Sequence, residues 1–462
     1  MPGLENYSKN ALKVISTAKA AAGDRVRIVK QREVYEGILL PRAELGDRSS
    51  LVIKLDNGYN IGIGASGAKL QKLKGDMKAL EGEFGLQKWR EQAKAKLKHD
   101  PNKPSIVILH TGGTVASRVD YRTGGVTTSF TPEDIIHIFP ELTEIANIKS
   151  RLISNMWSED MRFGHYTLIA KEVAKEIANG VDGIIITHGT DTLHYTSAAL
   201  SFMLQEMPVP VLLVGAQRSS DRPSSDAGAN LICAARFIAG SDWAGVGVCM
   251  HEGTNDDTCL ILPGTKARKM HSSRRDAFRP VNATAIARVK YPSGEIEMIA
   301  DNYAKKDRGR KMKLKDKMEE KVALFKIHTN MLPEAFDLYR KAGYKGVVIE
   351  GTGLGHTPLH VPDKIAKVHL KIRKAVGELS KKAVVIMTSQ TLYGRVNMNV
   401  YSKGRDLQAL GVIPGEDMLP ETAFIKLAWA LGNFKRGEVA SIMRKNIAGE
   451  ISDVSEVDDF LI

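Results

Sequence analysis

The sequence has three cysteines in 462 residues, Cys233, Cys249 and Cys259. No two form a CxxC pair, and an odd count makes a poor disulfide framework, so a reduced, cytoplasmic setting is expected. No His/Cys spacing matches a zinc site, and no metal or cofactor is expected in this chain. There is no run of eighteen or more apolar residues, which excludes an ordinary transmembrane helix. The opening residues, MPGLENYSKNALKV, lack a basic start followed by an apolar stretch, so no secretory signal is expected. There is also no GxxxxGK[ST] phosphate loop, and the spacing of Gly351, Gly353 and Gly355 does not fit a dinucleotide fingerprint. An ATP-dependent step, if one is needed, is expected on another chain.

A hydrophobic share of 43% and a charged share of 26% belong to a folded globular protein. At 462 residues the chain is too long for one ordinary core, so two or three domains are expected. The formal net charge of +13 has two readings. One is a Lys- and Arg-rich surface that serves solubility or heat tolerance. The other is work near a polyanion such as RNA. Charge alone does not separate them.

Residues 1–75 differ from the rest. Val26–Val29, Tyr35–Leu40, Leu51–Leu55 and Tyr59–Ile63 alternate as strands do, with Gly23-Asp24, Gly46-Asp47 and Asp56-Asn57-Gly58 as turns. Short β-runs at this spacing predict a small antiparallel barrel, which binds a partner or RNA or simply packs on its own chain. Residues 76–103, rich in Lys, Glu, Gln and Ala, read as a helical linker. Pro101 and Pro104 then mark a new domain, 104–300.

From Ser105 the pattern becomes α/β. SIVILH, DGIIITH (Asp182–His188), VPVLLVG (Val209–Gly215) and GVGVCM (Gly245–Met250) are continuous apolar runs, as strands buried on both faces must be. Amphipathic segments at Tyr166–Ala178 and Thr196–Met207 lie between them. Strands alternating with helices predict a parallel, doubly wound sheet, which binds ligands at the carboxyl ends of its strands. The highly charged 301–321 reads as a linker or an exposed face. A smaller α/β domain, 322–440, follows through KVALFKIH, KGVVIEG and KAVVIMTS. The acidic tail, 441–462, is expected to be mobile or to dock on a partner.

Three pieces carry chemistry. In Leu109-His110-Thr111-Gly112-Gly113-Thr114 a strand ends, two glycines turn and a threonine follows. Such a turn lets backbone N–H groups face an anion or a developing oxyanion, and a hydroxyl there can act as nucleophile. By itself it fits a tight turn or a phosphate cradle equally well. Thr187-His188-Gly189-Thr190-Asp191-Thr192 also follows a strand and so emerges on the same edge of the same sheet. Asp191 can hold an ammonium, orient a lysine, or merely cap the next helix. The third piece is the basic run from Lys266 to Phe278. A lysine there can act as a base only under burial or neighbouring charge, and Lys266, Arg268 and Lys269 are not ranked by composition.

Together these pieces resemble the L-asparaginase family. Its strand-TGGTI pattern stands here as TGGTV (Thr111–Val115), and its THGTDT signature is intact at Thr187–Thr192. Its lysine motif places Lys269 nine positions before Phe278. The likeness runs from about residue 105 to 440. It implies an α/β, asparaginase-like two-domain parallel-sheet fold, preceded here by a small SH3- or Tudor-like β-barrel domain. It implies Thr114 as nucleophile, with Thr190, Asp191 and Lys269 as the assisting group. It also implies Ser158, Glu159 and Gly113 at the substrate, and Tyr121 in a loop that closes over it. Where the family usually carries glutamine, this chain has Glu159.

The amino-terminal barrel and the stretch SQTLYGRVNMNVYSKGRDLQALGVIPGEDM resemble members of the family that serve as ammonia-producing subunits of tRNA-dependent amidotransferases. That likeness implies glutamine as substrate and a homodimeric core, as part of a heterotetramer. It also implies an ATP-using, E-type partner subunit, which holds ATP and magnesium and amidates glutamate on tRNA. The alternatives are a free-standing cytosolic L-asparaginase and a non-catalytic RNA- or partner-binding protein on a retired hydrolase fold.

Overall fold

A computed structural model of the chain describes residues 4, 7–40, 48–54, 60–73, 99–113, 117–119, 126–128, 139, 141–218 and 225–460. In the amino-terminal part, Arg25–Lys30, Glu33–Leu39, Ser50–Lys54, Asn60–Gly64 and Lys69–Lys72 form one five-stranded antiparallel sheet. Period-two alternation drives it: Val26 and Ile28 are buried while Arg27 between them is exposed. A helix, Lys9–Thr17, precedes the sheet, and the strand pattern does not announce it. Ser8 caps it by accepting from the Ala11 N–H, and Ala11 and Ile15, one turn apart, close the small core with Leu39 and Leu51. Leu55 and Tyr59, at the ends of two expected strands, lie outside the described residues, as does the expected linker at 76–103 apart from 99–103.

The large sheet has eight strands. Five are parallel, in the order Gly245–His251, Pro210–Val214, Gly183–Thr187, Ser105–His110 and Asn147–Leu152. Four of these five are the apolar runs that sequence pattern picks out. Thr258–Pro263, Ala287–Lys290 and Ile296–Met298 extend the sheet antiparallel, because the chain returns to it without a crossover helix. After Ser105–His110 the chain moves to one side of the sheet, and after Gly183–Thr187 to the other. The two motif strands are therefore neighbours at the switch point. The helix expected at Thr196–Met207 runs Leu193–Met203, ending where Leu204–Gln205 pairs with Lys313–Leu314 and Glu206 takes φ +55° ahead of Pro208.

That pairing ties down the charged segment 301–321. Its lysines and arginines stay largely in solvent, while Lys315 accepts from the Trp429 indole N–H at 2.9 Å through its carbonyl. The smaller sheet is parallel throughout: Val322–Lys326, Gly346–Gly351, Val384–Ser389 and Val412–Pro414. The last strand is too short to stand out in sequence. Helix Pro420–Asn433 covers this sheet and packs on Leu193–Met203 of the larger one, with Trp429 stacked on Phe202 at 5.6 Å. The two sheets and the helices packed between them thus share one core.

The acidic tail packs on its own chain. Glu450 and Lys426 are both fully buried and meet at 2.5 Å, and Glu450 also accepts the Ala448 N–H at 2.7 Å. The Ser452 N–H donates to Asp417, which in turn pairs with the buried Lys266 at 2.6 Å. Removing one member of a buried pair leaves the other desolvated and unmatched. Lys426→Met is therefore expected to destabilise the chain by about 3–5 kcal/mol, read as a lowered urea midpoint at pH 7. A loss below about 1 kcal/mol, the range of an exposed pair, would contradict this account of the tail.

Candidate active site

The site is built where three segments nearly touch. Thr111 donates through both its N–H and its hydroxyl to the Thr187 carbonyl, at 3.1 and 2.9 Å. On the other side, the Met156 N–H donates to the Thr111 carbonyl at 3.2 Å. The double glycine sits between them. Gly112 has φ +111°, and a Cβ there would lie 2.3 Å from the Met156 carbonyl oxygen; Gly113 has φ +82°, and its Cβ would lie 2.5 Å from the Gly189 nitrogen. Both positions need glycine for conformation and for space. Gly189 is equally confined, since its Cβ would fall 2.8 Å from the Ser158 Cβ.

On this edge, Lys269 Nζ donates to the Thr190 hydroxyl at 2.9 Å and to Asp191 Oδ1 at 2.7 Å. The Lys269 side chain is only 9% exposed, whereas Asp191 is 66% exposed. A buried ammonium thus faces a buried threonine on one side and a solvent-facing carboxylate on the other. Asp191 does not cap the following helix: Thr192 occupies the N-cap position, and no side-chain cap bond is formed. The Thr192 hydroxyl instead donates to the Ser158 carbonyl at 2.6 Å, tying the second motif to the substrate-loop segment.

The three basic candidates separate by partner. Lys266 is buried against Asp417, Arg268 pairs with Glu421, and Lys269 alone of the three reaches Thr190 and Asp191. The nine-residue spacing to Phe278 has a plain cause. Ala267–Lys269 and Phe278–Pro280 form a hairpin in which Lys269 and the fully buried Phe278 are direct cross-strand partners. A cavity of about 1070 Å³ is walled by Lys266, Asn282 and Asn446 but by none of Thr190, Asp191 or Lys269, so volume does not locate this site.

Of the other expected site residues, Gly113 is buried at the convergence, and Ser158 is buried in the short turn Ser158–Asp160 with Glu159 exposed beside it. Thr114 and Tyr121 lie outside the described residues. Sequence reasoning missed Thr192 and Glu421. Thr192 stands inside a motif already singled out, but its partner is a backbone carbonyl, which leaves no mark in sequence. Glu421 lies more than 150 positions from Arg268, and spacing does not link such residues.

Comparison with known proteins adds three family matches. Residues 105–303 match the family described as Asparaginase, N-terminal, and 321–443 match the Glutaminase/Asparaginase C-terminal domain. Residues 20–73 match the GatD N-terminal domain. The D-type subunit of glutamyl-tRNA(Gln) amidotransferase from Pyrococcus furiosus is 50% identical over 447 residues, covering 95% of this chain and 97% of that protein. The protein of the same name from Methanothermobacter thermautotrophicus is 45% identical, covering 98% and 99%. Among solved structures, the thermostable L-asparaginase from Thermococcus kodakarensis superposes with a TM-score of 0.66 at 32% identity, covering 76% of this chain and all of that one. L-asparaginase I from Vibrio cholerae gives 0.65 at 25% identity, covering 76% and 99%.

Three histidines frame the site and all are kept neutral. His110 bonds the Thr187 and Ser150 hydroxyls, each at 2.7 Å, and burial pushes it down to about 4. His188 bonds Thr196 at 2.8 Å and is lowered to about 4, also by burial. His194 falls to about 3, through burial and then the charges of Arg268 and Lys269. Each titrates near 6.5 once unfolded, so the unfolded state takes up protons first as pH falls. Stability is then complete above about 6.5 and is lost on acidification toward 4. At pH 5 the three should together cost about 6 kcal/mol, roughly 2 kcal/mol each, relative to pH 7. Urea unfolding at the two pH values checks this; equal midpoints would contradict neutral burial.

Proposed function

From the premise that this chain belongs to the family of D-type subunits of glutamyl-tRNA(Gln) amidotransferase, built on asparaginase domains, we propose that it is a glutaminase that supplies ammonia to an ATP-using partner. The observation that carries this reading is the contact of Lys269 with Thr190 and Asp191 beside the double-glycine turn. Thr114 is the nucleophile. Its hydroxyl oxygen attacks the side-chain carboxamide carbon of glutamine, and the C–N bond breaks to give an acyl-enzyme and ammonia. The proton leaving Thr114 passes through the assisting group to the departing nitrogen.

The lysine geometry suits that transfer. Because Lys269 donates to the Thr190 oxygen, the Thr190 proton stays free to be given elsewhere. Asp191 orients the lysine and, being exposed on its other side, can also receive the α-ammonium of the substrate. N–H groups of the Gly112–Gly113 turn face the developing oxyanion, a contribution of about 2.7–4 kcal/mol in comparable sites. Ser158, Glu159 and Tyr121 bind the substrate. Water then releases glutamate. No cofactor takes part in this chain's step.

The partner is the E-type subunit of the complex, which binds ATP and magnesium and converts glutamate on tRNA to glutamine. Two copies of this chain form a homodimeric core of a cytoplasmic heterotetramer, and tRNA is engaged through the complex. The likeness to free-standing L-asparaginases supports a second reading, a catabolic asparaginase. The match of residues 20–73 to the GatD N-terminal domain favours the first.

Thr114→Val is expected to lower ammonia release from glutamine at least about a thousandfold, with Thr190→Val and Lys269→Met losing a comparable amount, since members of a catalytic unit fail together. Near-normal turnover in the Thr114 variant would sink the mechanism. Faster turnover of asparagine than glutamine, unchanged by partner and glutamyl-tRNA, would favour the free-standing enzyme.

A further inference from the structure

The strand that carries Lys269 is only three residues long, Ala267–Lys269, and its hairpin partner is equally short. So small a ribbon does not hold a long, flexible lysine in register by itself. The smaller domain supplies the missing support. The Thr422 hydroxyl donates to the Thr265 carbonyl at 2.7 Å, and Asp417 takes Lys266 at 2.6 Å. Closest to Lys269, the Arg268 guanidinium is held by both oxygens of Glu421, at 3.0 and 2.8 Å. Glu421 stands in the first turn of Pro420–Asn433, where a carboxylate is favoured by the helix dipole.

Successive residues of a strand point to opposite faces. Arg268 is turned to the helix and Lys269 to Thr190, so a grip on one sets the direction of the other. The pair is two-pronged and largely buried, with side-chain exposures of 24% for Arg268 and 10% for Glu421.

We propose that Glu421 and Arg268 are a positioning pair for Lys269, through which the smaller domain holds the assisting group of the larger domain in working register. The inference rests on the glutaminase reading above. Neither residue is catalytic; both act through the lysine.

Acidification should release the pair. Burial raises the Glu421 carboxyl above its usual range, and Arg268 opposes that shift. Glu350 and Lys326 also face it, one raising and one lowering it, and the Tyr195 phenol senses its charge. A raised carboxyl binds its proton more tightly when folded. Its contribution to stability therefore grows as pH falls through the raised value, while its hold on Arg268 is lost. Activity should therefore fall with acid even though Glu421's own contribution to stability rises.

The test uses the full chain and measures ammonia release from glutamine with pH. Glu421→Gln mimics the protonated form. Its kcat should fall about tenfold or more at neutral pH, as loss of a supporting residue does, with KM for glutamine within about twofold. The part of the acid limb due to Glu421 should vanish, and Glu421→Asp should restore part of kcat. A Gln variant within about twofold of the parent at every pH overturns the proposal. So does a variant in which KM and thermal stability collapse together and Asp gives no rescue, because that marks packing alone. Lys269→Met separates the two levels: if it is inert while Glu421→Gln is normal, only this inference fails; if it is fully active, the glutaminase mechanism fails first.

Discussion

The arrangement depends on one ammonium. Lys269 reaches the carboxyl edge of a sheet to which its own strand does not belong, and there it meets Thr190 and Asp191. For that contact to exist, two parallel strands must end side by side, and the turns after them must pass closer than any Cβ would allow. The positive-φ glycines 112 and 113, together with Gly189, supply that clearance. The hairpin that carries the lysine must then be pressed inward, and the smaller domain does this through Arg268, Lys266 and Thr265.

The charges divide into two kinds. Pairs such as Lys305 with Asp242 or Lys313 with Glu206 are half or more in solvent and contribute little to stability. Lys266 with Asp417 and Lys426 with Glu450 are nearly or wholly buried, where desolvation rivals attraction. Pairs of that kind add little net stability over apolar packing, but they tolerate few geometries. Their place between large domain, small domain and tail fits a role in fixing how those parts sit together. The aromatic stack of Trp429 on Phe202 and the apolar core around it provide the bulk of the attraction.

Much of this was readable from residue order. The apolar runs at 105–110, 183–187, 210–214 and 245–251 are strands, and both motifs stand at strand ends on one edge, because burial on both faces leaves short, β-branched apolar runs bounded by turn residues. Thr190, Asp191 and Lys269, singled out by motif, lie within hydrogen-bond distance of one another through the Lys269 ammonium. What escaped is long-range or weakly patterned. Arg268, Lys266 and Lys269 look alike in a basic run until their partners at 421, 417 and 191 are known. The acidic tail reads as mobile or as docking on a partner because its charges dominate composition, yet Glu450 is wholly buried against Lys426 of helix Pro420–Asn433. The antiparallel strands 258–263, 287–290 and 296–298 lack crossover helices and so carry no βαβ signature.

The account's central claim is a division of labour between two threonines: Thr114 attacks the substrate, while Thr190 serves that attack together with Lys269. The most direct measurement is covalent trapping with a glutamine analogue bearing a diazoketone in place of the side-chain amide, followed by peptide mapping by mass spectrometry. The account predicts one adduct per chain, on the peptide that contains Thr114, and none when Lys269 is replaced by methionine. An adduct on the Thr190 peptide, or labelling of Thr114 that does not depend on Lys269, would contradict it.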